Sequence, residues 1–470
     1  MPVSPARAAA FEILMRIEKT DAYASEMLHS AQFAKLATAD HGLMTELVMG
    51  VLRWRSVLDK TIADSCRTPS ANSLLPKPES SAAPQSGGTH APPRLRFDLE
   101  VLTALRLGTY QLLFLDRVPR HAAVNESVEL VKRARKRSAA GLVNAVLRKV
   151  TKAEFNPDNC AAHPQWMLER WQREYGAEIA HKICNYDQAA PKVTIRTPPM
   201  LQPSNTAKDG AGIDREDFRR FSEQLRSEQI RLAPGRLLTR AAVVIAGDIT
   251  QTVRYRERHL VIQDEASQLV ALLAGRGRKI LDCCAAPGGK TRILAEQNPE
   301  AEIVATELHP HRAALLKKLV PAANVKVIVG DARAMPFRSS FDCVLVDAPC
   351  SGTGTLARNP DIKWRLNPGD LDRLQAYQIE ILRSAMQALS PGGRLVYSTC
   401  SLEPEEGEVV IGNVLADSFR VINCHQELLR LESQGELAWK DIDSLVRGPY
   451  LRTLPGLHPC DGFFAAILAK

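Results

Sequence analysis

Residues 279–297 read KILDCCAAPGGKTRILAEQ. The stretch opens as an apolar strand, passes through Ala-Pro-Gly-Gly and continues with helical spacing. Gly288 and Gly289 let the backbone approach a ligand closely, and the helix start beyond them offers free N–H groups. The spacing is neither G-x-G-x-x-G nor the phosphate-loop G-x-x-x-x-G-K. Further apolar runs follow: EIVATE at 302–307, VKVIVGD at 325–331, FDCVLVD at 341–347 and RLVYST at 394–399. They alternate with helical stretches, the rhythm of βαβ units. The expected fold from about residue 260 to 470 is therefore α/β, with a mostly parallel, doubly wound sheet. GFFAAILA at 462–469 adds a closing strand.

In such a sheet, ligands bind outside the carboxyl ends of the strands. Three strands end in an acid there: Glu307, Asp331 and Asp347. One acid at a strand end is commonly a helix cap. Three in successive units, beside a glycine turn, point to an adenosine-type cofactor without a phosphate chain. Glu307, about 20 residues past the glycines, suits ribose hydroxyls. Lys290 either orients the site or occupies a helix start.

Two cysteines share this sheet edge. Cys350 stands in DAPCSGTGTLARNPDIKWR (347–365), and Cys400 in STCSLEPEE (398–406). Methylating nitrogen or oxygen needs no thiol, because those atoms carry lone pairs. Carbon 5 of a pyrimidine is a poor nucleophile, and adding a thiolate to carbon 6 activates it. That is covalent catalysis, with a second acid–base group to help the adduct collapse. Spacing alone does not rank the two thiols. The acids Glu403, Glu405 and Glu406 are expected to begin the next helix, with no chemistry assigned.

The 470 residues allow several domains. Helical periodicity over 1–155 predicts an all-α domain. It is interrupted at 66–94 by a Pro/Ser/Ala/Gly-rich insertion expected to be disordered. This domain ends in a basic run, Lys132, Arg133, Arg135, Lys136 and Arg137. Such a cluster either caps a helix end or contacts phosphates. With a net charge of +8, a polyanionic partner is favoured. Arg358 and Lys363 in RNPDIKWR extend the candidate RNA contacts, and Trp364 serves either stacking or core packing. Residues 164–250 read as a small α+β subdomain, with KVTIRT and AAVVIA as strands and a polar insertion near 202–216. The ten cysteines include no C-x-x-C pair. Neither the CH at 424–425 nor the HPC at 458–460 matches a standard ligand set, so no metal is expected. No apolar run reaches 18 residues, which argues against a membrane span. A cytoplasmic monomer is expected.

CCAAPGGKT, DAPCSGTGT and STCSLEPEE resemble, in order and spacing, the motifs of the S-adenosylmethionine-dependent RNA (cytosine-5) methyltransferases. LVMGVLRWRSVLD and HAAVNESVELVKR resemble the NusB-type RNA-binding fold. The combination is similar to the bacterial RsmB/Sun (Fmu) family, which modifies small-subunit ribosomal RNA. The resemblance covers nearly the whole chain. It implies a Rossmann-like domain with S-adenosylmethionine held by Cys284, Ala285, Ala286, Pro287, Gly288, Gly289, Lys290, Glu307, Asp331 and Asp347. Many relatives carry aspartate where Glu307 stands. It also implies Cys400 as nucleophile, Cys350 in product release, and Asp347 on the cofactor or the target base. The alternatives are the same chemistry on transfer RNA, or a non-catalytic RNA-binding assembly factor.

Overall fold

The computed structural model describes residues 3–20, 22–67, 97–152, 155–198, 215–415 and 418–470. Nearly all of the 66–94 insertion, and the polar stretch near 202–216 up to residue 214, lie outside them. The chain divides into two compact units. One comprises Met1–Ala189 with Ala357–Arg365, the other Ala190–Leu356 with Leu366–Lys470.

The first unit is helical: α1 Pro5–Lys19, α2 Ala24–Leu28, α3 Thr38–Cys66, α4 Leu99–Phe114, α5 Arg120–Arg133, α6 Ala140–Lys149, α7 Gln165–Tyr175 and α8 Ala177–Gln188. Proline at its first turn starts α1, where the missing N–H costs nothing. Ala6, Ala10, Ile13, Leu14 and Ile17 then form its buried stripe. They pack against Leu47, Val51 and Leu58 of α3 and Leu105 of α4 in one core. Arg106, inside this core, forks onto both carboxylate oxygens of Asp59 at 2.7 and 2.8 Å and reaches Glu18 at 3.1 Å.

Two features of this unit differ from the sequence expectation. The helices α7 and α8, read as opening the middle subdomain, belong to the first unit. So does the segment Ala357–Arg365, excised from the α/β region. Lys363, expected at phosphate, is 2% exposed. Its ammonium donates to the carbonyls of Arg53 at 2.8 Å and Ala162 at 2.9 Å. Burial pushes its pKa down to about 7, opposed by the negative charge of Asp187. The neighbouring Trp364 donates its indole N–H to the Leu52 carbonyl at 2.6 Å and packs on the helical core. A charged residue beside two arginines looked solvated in sequence, and tertiary packing buries it. Lys363→Ala is therefore expected to destabilise the chain by ~3 kcal/mol, through the two buried carbonyls left unpaired. Thermal unfolding checks this, and the salt dependence of RNA binding should stay unchanged.

Among the described residues the second unit carries thirteen strands: β1 Thr194–Arg196, β2 Arg231–Pro234, β3 Ala241–Ala246, β4 Val261–Ile262, β5 Lys279–Asp282, β6 Glu302–Glu307, β7 Val325–Val329, β8 Phe341–Asp347, β9 Leu389–Thr399, β10 Arg420–Ile422, β11 Val446–Arg447, β12 Tyr450–Thr453 and β13 Phe463–Ala469. The first four form an antiparallel sheet, β2-β3-β1-β4. Phe221 and Leu225 of helix Arg215–Arg226 share a small core with Ile195 and Leu232 of that sheet. This is an α+β module, but it begins after α8.

The large sheet runs β11-β12-β13-β9-β8-β5-β6-β7. Neighbours from β9 to β7 are parallel. The pairings of β13 with β9, β12 and β10 are antiparallel. The chain steps outward from β5 through β6 to β7, then returns to the other side of β5 at β8. The strand order thus reverses between β5 and β8, which is where α/β sheets open a crevice for ligands. Both faces are covered, by separate apolar clusters. No helix of the described residues is long and apolar enough to cross a membrane.

Candidate active site

The loop after β5 carries Cys284–Lys290. Gly288 has φ +112, and a Cβ there would lie 2.5 Å from Val320 Cγ2 and 2.7 Å from Leu316 Cδ1. Both the left-handed backbone and the close approach require glycine. Gly289 then starts the helix Gly289–Gln297. The loop borders a cleft of about 120 Å³, also lined by Gln263, Asp282, Lys290 and Asp347.

Residues from the ends of β5, β8 and β9 meet at the switch point. Lys290, in the first turn of that helix, donates to Asp347 Oδ2 at 2.6 Å, while Ser398 Oγ donates to Oδ1 at 2.9 Å. The lysine ammonium also lies 5.1 Å from the Phe463 ring centroid. Lys290 therefore both occupies a helix start and orients a carboxylate. Burial, then the negative charge of Asp282, pushes the Cys284 thiol well up.

Glu307 ends β6, is 5% exposed and accepts the His309 N–H at 3.0 Å. Asp331 caps a short 3-10 turn by accepting Arg333 N–H at 2.9 Å, and its carboxylate pairs with the Arg333 guanidinium at 2.7 Å. Those hydrogen bonds hold it below the usual aspartate range. Asp331 thus does what strand-end acids commonly do, capping, while keeping its place at the edge.

The two cysteines meet. Parallel pairing of β8 with β9 sets Asp347 opposite Ser398, and Ala348 N–H donates to the Ser398 carbonyl at 2.9 Å. The loops leaving both strands then run together, with Gly354 N–H on the Cys400 carbonyl at 3.0 Å. Gly354 also lies against Gly462, where a Cβ would fall 2.0 Å from the Gly462 carbonyl oxygen. Cys350 Sγ and Cys400 Sγ are 3.4 Å apart, both half-buried. The hydrogen bond to Cys400, then burial, holds the Cys350 thiol well above its ordinary range.

Sequence reading missed Asp282 and Gln263. Asp282 ends β5 just as Glu307 and Asp347 end theirs, so the same rule could have found it. It is 1% exposed, and burial pushes it up to about 7 against the Thr291 hydrogen bond, at 2.7 Å. Its Oδ1, and Oε1 of Gln263, are buried without a hydrogen-bond partner among the described residues. Two unpartnered acceptors beside this cleft suit the ammonium and sulfonium of S-adenosylmethionine, so the residues present fit that cofactor.

The basic run is exposed apart from half-buried Lys136. Glu129 pairs with Lys132 at 2.7 Å and Asp98 with Lys136 at 2.8 Å. Arg133, Arg135 and Arg137 have no ion pair among the described residues. A second groove, of about 380 Å³, is lined by Gly288, Gly289, Tyr255, Arg256, Arg258, Arg292 and Lys318. Arg256 and Arg258 stand in the local basic run VRYRERH (253–259), which sequence reading did not single out, while Arg292 and Lys318 come from separate segments.

Comparison with known proteins agrees with this architecture. Residues 270–469 match the 16S rRNA methyltransferase RsmB/F family, and residues 4–74 and 92–152 match the NusB family. The chain is 30% identical to the probable ribosomal RNA small subunit methyltransferase B of Bacillus subtilis, over 100% of both chains. It is 32% identical to ribosomal RNA small subunit methyltransferase B of Escherichia coli, over 93% of this chain and 92% of that one. The crystal structure of PH0851 aligns over 100% of both chains with a TM-score of 0.71 and 21% identity. NSun6 from Pyrococcus horikoshii, solved with SFG, aligns over 65% of this chain and 98% of its own, with a TM-score of 0.51 and 18% identity. The chain therefore belongs to the RsmB/F family of ribosomal RNA small subunit methyltransferases, with a NusB-family N-terminal domain, and is an S-adenosylmethionine-dependent RNA methyltransferase.

Proposed function

We propose that the chain methylates carbon 5 of a cytosine in small-subunit ribosomal RNA, through a covalent bond between Cys400 Sγ and carbon 6 of the base. The observation that carries this reading is the pair of thiols 3.4 Å apart at the ends of β8 and β9, beside the cleft. Enzymes that methylate heteroatoms have no use for such a pair. The contact does not rank the two sulfurs, since either can donate across it; the assignment of Cys400 as nucleophile rests on its place in the STCS motif.

Cys400 adds to carbon 6, and the ring electron pair moves to carbon 5. The bound cofactor supplies an electrophilic methyl group. Once carbon 5 carries it, Cys350 passes its proton to the departing Cys400 sulfur, 3.4 Å away, and takes up the carbon 5 proton as the 5,6 double bond re-forms and the bond to carbon 6 breaks. Cys350 assists that last stage as an acid–base group. Asp347, fixed by Lys290 and Ser398, accepts hydrogen bonds from the base or the cofactor. Glu307 and Asp331 hold the nucleoside part of the cofactor. The target base must be unstacked to reach the thiol, so a single-stranded or partly folded RNA region is the substrate. Arg133, Arg135 and Arg137 supply phosphate contacts, which position without reading sequence.

The test is methylation of 16S ribosomal RNA, free and in assembly intermediates, with labelled cofactor and mapping of 5-methylcytosine. One modified cytosine that depends on this chain is expected. Methylation of transfer RNA alone would replace the substrate. Cofactor binding without methylation of any RNA would favour a non-catalytic assembly factor.

A further inference from the structure

Sequence reading gave the acids after Cys400 to a helix start. The structure instead puts Glu406 in a 3-10 turn, Pro404–Glu406, ahead of the helix Glu408–Val414, and buries it completely at 0% exposure. Its Oε1 accepts the Ser351 backbone N–H at 2.8 Å and Gln378 Nε2 at 2.9 Å. Its Oε2 accepts the Ser351 hydroxyl. Ser351 directly follows Cys350, and Ser401 directly follows Cys400. Their hydroxyls are 3.1 Å apart, and Thr353 Oγ1 lies 3.3 Å from Ser401 Oγ.

The direction of this chain follows from counting protons. The single Ser351 hydroxyl proton goes to Glu406, so Ser401 donates to Ser351 and Thr353 donates to Ser401. The chain runs Thr353 to Ser401 to Ser351 to Glu406 and crosses between the cysteine loops immediately after each thiol. Its terminus is anchored to the strand that leads to Cys400, since the Glu406 carbonyl accepts from Tyr397 at 2.9 Å and Thr399 at 3.2 Å, both on β9. A buried carboxylate is costly unless its lone pairs are used, and here three donors use them.

We propose that Glu406 is a positioning residue for the Cys350–Cys400 pair: its carboxylate hangs the Cys350 loop on the strand that carries Cys400 and so sets the spacing of the two sulfurs. The catalytic half of this inference rests on the proposed cytosine-5 chemistry; the geometric half does not. Glu406→Gln keeps the size but turns an N–H₂ toward donors, so the hydroxyl chain must break or reverse. Misplacement of reacting groups on the ångström scale is costly in rate.

Two measurements on the full chain test it. The first needs no turnover. Diamide takes one hydrogen from each of two neighbouring thiols, becoming a hydrazine and leaving a disulfide, and peptide mass spectrometry follows Cys350–Cys400 crosslinking. Glu406→Gln is expected to slow this about tenfold, while the half-buried Cys160 reacts with maleimide at the wild-type rate. The second is steady-state kinetics. The kcat should fall about tenfold or more with both KM values within about twofold, and Glu406→Asp should recover part of the loss. Wild-type crosslinking and kcat in Glu406→Gln overturn the proposal. So does a loss of kcat accompanied by equal losses of cofactor affinity and melting temperature, which marks general collapse. A wild-type chain that crosslinks readily but methylates no cytosine overturns the proposed chemistry instead, and the crosslinking rates alone then decide the geometric role.

Discussion

Cys400→Ala is expected to abolish turnover, on the order of 10⁴-fold or more, the scale on which loss of a covalent nucleophile is felt. No other group among the described residues can replace it. Cys350 is its neighbour at 3.4 Å, but that thiol is held in its protonated form by its hydrogen bond to Cys400 and by burial. Cys284 lines the cleft as well, yet burial and Asp282 push it the same way. Cofactor affinity should be preserved in the variant, because the cleft at Gln263, Asp282 and Lys290 is built without Cys400. The check is single-turnover methylation together with denaturing gels of protein–RNA mixtures: neither product nor covalent complex should form. Retained methylation, or a denaturation-resistant complex in Cys400→Ala, would remove the proposed mechanism.

The parts of this site that could be read from sequence are those fixed by local chemistry. Alternating apolar runs gave the strands, and a strand's carboxyl end locates its acid whatever its neighbours are. Glu307, Asp331 and Asp347 therefore came out at one edge. Asp282 ends β5 in the same way and is legible by the same rule. What could not be read depends on pairing. Cys350 and Cys400 are separated by fifty residues, and their contact follows from the register of β8 on β9, with Asp347 opposite Ser398. Nothing in either motif fixes that register. The hydroxyl chain to Glu406 depends on it too, so an acid meant for a helix dipole became a buried acceptor.

Lys363 fails for a related reason. A lysine among arginines is usually solvated, and only the excursion of Ala357–Arg365 into the helical unit buries it. The domain boundary moved with it. Periodicity found α7 and α8 as helices but could not say which core they join. The second groove shows the same limit for charge: Arg256 and Arg258 belong to the local run VRYRERH, but nothing local joins them to Arg292 and Lys318.

Cys350→Ala tests the other half of the pair and should give the opposite phenotype from Cys400→Ala. The nucleophile remains, so the carbon 6 bond still forms and carbon 5 still becomes methylated. The variant lacks the acid–base group that helps the adduct collapse, so the product stays attached. Multiple turnover should fall by at least ~10²-fold, the scale of a lost general acid–base group. A denaturation-resistant protein–RNA complex should accumulate to near one equivalent. The methyl label should be found within that complex, which separates a block after transfer from a block before it. Packing does not predict this result. Truncating one half-buried thiol costs little core volume, so loss of activity through misfolding would come without a trapped complex. Serine at the same position restores a hydroxyl but not a thiol of comparable acidity, and it should shorten the lifetime of the complex only in part. If the two alanine variants exchange phenotypes, with the trapped complex appearing in Cys400→Ala, then Cys350 is the nucleophile and the two roles are exchanged.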